Sequence, residues 1–120
     1  MSYMFNKCNE LKQIRGIKKY NKNKVINMRA MFQKCKKLKN LDLNFDTSNV
    51  IDMSDMFNYC NELKEIKGIN KFNTNKVTNM KAMFQGCHKL KYLDLNFDIS
   101  NVINMEYMFN ECNELKEIKE

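Results

Sequence analysis

Residues 45–66 read FDTSNVIDMSDMFNYCNELKEI, and the order of apolar positions in this stretch decides the fold. Val50, Met53, Met56, Phe57 and Cys60 follow one another in steps of three and four, the spacing that places side chains on one face of a helix. Leu63 and Ile66 come next, and the block then starts again. Met-Phe with a Cys three residues beyond the Phe occurs five times: Met4-Phe5-Cys8, Met31-Phe32-Cys35, Met56-Phe57-Cys60, Met83-Phe84-Cys87 and Met108-Phe109-Cys112. Successive Met residues of these blocks lie 27, 25, 27 and 25 positions apart, so two repeat lengths alternate. Self-similarity at such a period marks a stacked repeat architecture, in which each unit touches only its neighbours and the whole is elongated.

Working outward from the Cys, an apolar pair returns in every repeat: Leu11 and Ile14, Leu38 and Leu41, Leu63 and Ile66, Leu90 and Leu93, Leu115 and Ile118. The shorter repeats continue as LKNLDLNFD and LKYLDLNFD (38–46 and 90–98), where Leu41 and Leu43, or Leu93 and Leu95, alternate with polar neighbours at strand period. In the longer repeats Gly16 and Gly68 precede the aromatic Tyr20 or Phe72, and a strand Gly at that place marks a bulge taking up the extra residues. Asn27, Asp52, Asn79 and Asn104 stand just before the first Met of each helical block and read as N-caps of helices about two turns long. Gly86 reads as a helix terminator. The expected fold is an α/β repeat, a leucine-rich-repeat-like right-handed solenoid of five coils of 25 or 27 residues. Short parallel strands line its inner, concave face and short helices its outer, convex face. Strands about 4.8 Å apart beside helices about 8–10 Å apart would bend it into an arc.

The sequence of 120 residues reads as one domain over residues 1–120, uncapped at both ends, and is compatible with a piece of a longer array. A hydrophobic fraction of 43%, without Pro, supports a packed core rather than disorder. No secretory start precedes Leu11, and no apolar run approaches the roughly 18–20 residues of a membrane span. As given, the chain reads as cytoplasmic, and as a cell-surface segment if it belongs to a longer secreted chain. Five Cys without a C-x-x-C pair point to buried free thiols in a reducing compartment.

The net charge of +7 is unevenly spread: residues 1–39 hold twelve Lys/Arg and one acid, the remainder nine and thirteen. Counting from each Cys, the second residue runs Glu10, Lys37, Glu62, Lys89, Glu114 and the seventh Arg15, Asp42, Lys67, Asp94, Lys119, so both columns alternate in sign and predict cross-strand ion pairs. A third column, Lys12, Lys39, Lys64, Lys91 and Lys116, carries one sign throughout. Such a row costs free energy unless Glu65, Glu117 and their like lie close by, and it is the best candidate for a surface kept for binding. Stacking through the uncapped ends would set Arg15 beside Lys119 and Glu10 beside Glu114, repulsions that the basic head and acidic tail oppose.

The repeat of residues 45–66, with Asn-Val, Met-x-x-Met-Phe, Cys and the Leu-x-x-Leu-Asp-Leu of the shorter repeats in constant order, resembles the BspA-like leucine-rich-repeat surface proteins, in particular the mycoplasma-type lipoprotein repeat. The resemblance covers essentially the whole chain. It implies a curved solenoid with a surface-displayed adhesion or host-interaction role and brings no catalytic residue.

Other chemistry finds little footing. The Met-x-x-Met pairs could hold soft copper, but the same residues form the apolar face and read as core. Cys87 beside His88 lacks a third residue to orient a nucleophile and base, and no phosphate loop or zinc-protease pattern is present. The chain is therefore expected to be non-enzymatic, without cofactor or metal, and to bind protein or glycan through the strand face: Lys12, Gln13, Arg15, Lys39, Asn40, Asp42, Lys64, Glu65, Lys67, Lys91, Tyr92 and Asp94. Tyr92 is the expected anchor. The alternatives are a structural element that self-associates by stacking, and a polyanion binder using Lys18, Lys19, Lys22 and Lys24. Nucleic acid is disfavoured and membrane insertion is not expected.

Overall fold

The computed structural model describes residues 2–14, 25–44 and 46–119, with Ile14 described by its backbone alone. Arg15, Gly16, Lys18, Lys19, Tyr20, Lys22 and Lys24 lie outside the described residues, as does Phe45. Five short strands carry the second apolar residue of each pair: β1 (Gln13–Ile14), β2 (Asn40–Asp42), β3 (Glu65–Lys67), β4 (Tyr92–Asp94) and β5 (Glu117–Lys119). All pairings are parallel, with β1, β2 and β3 in one sheet and β4 and β5 in another. Register follows the repeat, Leu41 opposite Ile66 and Leu93 opposite Ile118. In β2, β3 and β4 the central residue is buried and its two neighbours are exposed, the alternation that period-two spacing requires.

The expected outer helices do not form. Among the described residues the sole helical element is a 3-10 turn, Ile69–Lys71. From Met28 to Cys35 the chain makes consecutive turns, with the N–H of Met31 donating to Met28 O, Gln33 to Ala30 O and Cys35 to Phe32 O. In between, the N–H groups of Met28, Ala30, Phe32 and Lys34 donate to the carbonyls of Asp52, Ser54, Met56 and Asn58 in the next repeat, at 2.7–2.9 Å. The same ladder joins the third repeat to the fourth and the fourth to the fifth. It requires a left-handed residue before the second Met and another before the Cys: Ala30 and Lys34, Asp55 and Tyr59, Ala82 and Gly86, Tyr107 and Glu111.

The physical reason lies in backbone accounting. A helix of two turns leaves about half of its N–H and C=O groups without intrahelical partners, and it is too short to be stable by itself. The turn ladder gives those groups partners either within the turn or across to the next repeat. Each left-handed residue costs about 1–2 kcal/mol, which the inter-repeat bonds, at about 1 kcal/mol each, offset. Steps of three and four still bring Met28, Met31, Phe32 and Cys35 into the core, all fully buried. The apolar spacing was thus a correct sign of burial and a misleading one of helix.

Other expectations change with it. Asn27, Asp52, Asn79 and Asn104 do accept a backbone bond, but as turns two residues long: Arg29, Ser54, Lys81 and Glu106 donate their N–H groups at 2.8–3.0 Å. The same four residues form parallel bridges from repeat to repeat. Gly86 ends no helix; it holds a left-handed turn position that Lys34, Tyr59 and Glu111 hold in other repeats. The source of the expected arc is also missing, because the Phe rings of successive repeats stack at 5.4–5.7 Å between centroids, close to the strand spacing of about 4.8 Å. Nor is the molecule elongated, its extents being 30 × 28 × 20 Å.

Gly68 is needed where the longer repeat takes up its extra residues. Its φ is 88°, and a Cβ there would overlap the carbonyl oxygen of Leu43 in the preceding repeat. Thr47 and Thr74, both buried, bond the backbone of the next repeat through their hydroxyls. Thr47 Oγ1 donates to Asn73 O at 3.0 Å and accepts from Asn73 N–H at 2.8 Å, and Thr74 treats Asp98 in the same way.

Candidate binding face

The strands present their polar side chains in columns, one residue per repeat. Lys12, Lys39, Lys64, Lys91 and Lys116 are all exposed. Their backbones follow in sequence, Lys39 N–H donating to Lys12 O at 3.0 Å, Lys64 to Lys39 O at 2.9 Å and Lys116 to Lys91 O at 2.8 Å. One step is missing. Among the described residues the N–H of Lys91 and the C=O of Lys64 have no backbone partner, and no strand pairing joins β3 to β4. On the turn side the same two repeats remain fully bonded, Met53, Asp55, Phe57 and Tyr59 each donating across. The stack therefore opens on its strand side alone.

A cleft of about 660 Å³ lies at this opening, lined by Asn40, Lys64, Glu65, Lys89, Lys91, Tyr92 and Glu114. Five of these belong to the residues expected from sequence. Lys89 and Glu114 do not; they belong to a column noted for sign alternation, and only its adjacency to the lysine column would have pointed to them. Tyr92, 61% exposed, is the aromatic group of the cleft. Lys12, Gln13, Lys39, Asp42, Lys67 and Asp94 are exposed on the same series of strands outside the cleft lining. Arg15 and the basic segment with Lys18, Lys19, Lys22 and Lys24 fall outside the described residues.

The charge ladders close less often than their alternation suggests. Among the described residues, Lys37 Nζ meets Glu10 Oε2 at 3.0 Å. Asp42 stands opposite Lys67 and Asp94 opposite Lys119 in register, without an ion pair within 4 Å. Exposed pairs gain too little to immobilise two long side chains. Two further contacts, Arg29 with Asp55 and Lys81 with Glu106, both at 3.9 Å, join neighbouring repeats on the turn side.

The cysteines line the core. Cys35, Cys60, Cys87 and Cys112 each donate the thiol to the carbonyl of the Phe in the repeat before, at 2.9–3.2 Å. Burial pushes the Cys35 thiol up to about 11 and raises Cys60 and Cys87 further in the same direction. All five thiols are free, but Cys8 and Cys112, in the outermost repeats, are only half-buried. Cys87 points inward to Phe57 while His88 Nδ1 lies 2.7 Å from Asn113 Oδ1, so the two adjacent side chains do not meet as nucleophile and base. Beside the Phe stack runs an amide ladder that sequence reading missed: Asn6 donates to Gln33, Gln33 to Asn58 and Asn58 to Gln85. Its signal was the strict Asn, Gln, Asn, Gln, Asn alternation after each Met-Phe.

Fold and face together define a repeat protein whose units are joined by backbone bonds and whose polar columns lie open to solvent. A family model described as "Mycoplasma protein of unknown function, DUF285" matches residues 1–119, and the chain belongs to that family. No curated protein and no solved structure matched the chain.

Proposed function

We propose that the chain is a non-enzymatic repeat module that binds protein or glycan through its strand face, in a surface or adhesion role. The observation that carries this reading is the opening between β3 and β4, where the exposed Tyr92 stands over a cleft edged by unpaired backbone groups and charged side chains. Tyr is among the residues that most often anchor recognition, and here it is flanked by groups able to hydrogen-bond a ligand. Membership of a mycoplasma family supports the surface setting, and the resemblance to BspA-like leucine-rich-repeat proteins supports adhesion. We further take the winding to be a right-handed solenoid, the hand that parallel strand crossovers strongly favour.

The test is an array of immobilised extracellular proteins and glycans probed with the purified chain. Capture lost in Tyr92→Ala and in Lys39→Glu, with unfolding curves unchanged, supports the strand face. Capture that survives both changes argues for another surface. A second reading, assembly by stacking, is favoured by the apolar groups left open on the outer repeats, namely Tyr3 and Met4 at one end and Met105, Tyr107 and Ile118 at the other. It predicts a particle size that grows with concentration.

A further inference from the structure

We infer that the ligand of the strand face is a linear acidic polysaccharide of sparse charge, lying across the strands along the lysine column with one sugar seated in the cleft beside Tyr92. This inference rests on the strand-face reading above and names its partner.

Geometry gives the direction of the track. Lys12, Lys39, Lys64, Lys91 and Lys116 occur once per repeat, each just before a strand, about 4.8 Å apart where the strands pair and farther apart across the opening between β3 and β4. Among the described residues none of the five has an ion-pair partner. A row of like charges in register raises the free energy of the bare protein, and a chain bearing negative groups at comparable intervals relieves that repulsion. The row crosses the opening between β3 and β4, so a ligand following it passes over the cleft.

The cleft lining selects the chemistry. Among the described residues it has no aliphatic side chain in its lining: three lysines, two glutamates, one asparagine and one tyrosine. A peptide anchor needs a desolvated apolar pocket, which is absent here. A sugar ring offers C–H groups to the Tyr92 face and hydroxyl groups to Glu65, Glu114 and Asn40. The unpaired N–H of Lys91 and C=O of Lys64 can bond ring substituents. Nucleic acid fits less well, because a duplex carries one charge per roughly 1.7 Å of axis, and the acids beside the row would repel so dense a charge. A single strand prefers successive aromatic platforms, and the cleft holds one.

The experiment measures binding of the intact chain to sulfated or uronic oligosaccharides of increasing length, to the same chains with acidic groups removed, and to single-stranded DNA. The expected result is affinity rising with length until the row is spanned and falling when the acidic groups are removed. Each of Lys39→Gln, Lys64→Gln and Lys91→Gln should weaken binding about threefold, the effect of one exposed ion pair, and together about thirtyfold. A control removing equal charge elsewhere, Lys7→Gln with Lys36→Gln and Lys71→Gln, should leave affinity within about twofold. Equal loss in the control, tighter binding of DNA, or no binding of acidic chains overturns the inference. In the last case Tyr92-dependent capture of a protein or neutral glycan leaves the strand-face reading standing, and loss of that capture as well removes both.

Discussion

Replacing Gly68 by alanine should destabilise the fold much more than the same change at Gly86, although both glycines have positive φ. At Gly68 the added methyl would overlap a main-chain carbonyl, that of Leu43, which cannot swing aside. Leu43 is itself buried and donates its N–H to Lys67 O at 2.9 Å, so moving it strains that bond as well. Left-handed strain of about 1–2 kcal/mol and a weakened bond of about 1 kcal/mol sum to about 3 kcal/mol. At Gly86 the neighbour is the Tyr59 ring, a side chain that can rotate away at the cost of its 2.6 Å bond to Glu111. Other repeats already carry Lys34, Tyr59 and Glu111 at this position with φ of 55–60°, so the cost should stay at the left-handed strain of about 1–2 kcal/mol, without the main-chain displacement that Gly68→Ala adds. Urea unfolding of the two variants and the parent, read as midpoint shifts at constant slope, measures both costs. Equal shifts, or a larger one for Gly86→Ala, would refute the assignment of Gly68 to a main-chain contact between repeats.

Phe57→Ala should cost about 3–5 kcal/mol, since Phe57 is fully buried between the rings of Phe32 and Phe84. Phe109→Ala should cost clearly less, its half-buried ring having one stacked neighbour, and chemical denaturation of both compares them. Thr47→Val leaves the Asn73 N–H without its acceptor and should lose about 1–3 kcal/mol, read the same way. Alkaline stability follows from the buried thiols. Cys35 is raised from 9.0 to about 11 on folding, so its contribution is full below pH 9 and is lost as pH rises toward 11, because the unfolded chain ionises first. The urea midpoint should fall over that window, and Cys35→Ala should flatten the fall.

Much of this was legible because burial leaves a simple trace in sequence. Met31, Phe32, Cys35, Leu38 and Leu41, with their counterparts, marked both core and register. The strand centres fell where alternation placed them. The helices were misread for a specific reason: turns with a left-handed residue every fourth position also return side chains to one face at steps of three and four. Ala30 and Lys34 give no local hint of left-handed backbone, since what holds them there is bonding to the next repeat, a feature of the stack and not of the segment. Of the candidate site, the lysine column and Tyr92 could be read from alternation alone. The opening between β3 and β4 could not, because Lys64 has the same neighbours in sequence as Lys116, whose strand does pair, and Lys91 differs from Lys39 in its immediate neighbours only in being followed by Tyr92 in place of Asn40.

Amide hydrogen exchange in dilute protein tests the turn ladder most directly. The N–H groups of Phe32, Phe57 and Phe84 donate to Met56, Met83 and Met108 of the next repeat, whereas the equivalent Phe109 N–H has no protein partner among the described residues. Strong protection at the first three with rapid exchange at Phe109 is the predicted pattern. Similar protection at all four, as helices bonded within themselves would give, would contradict it.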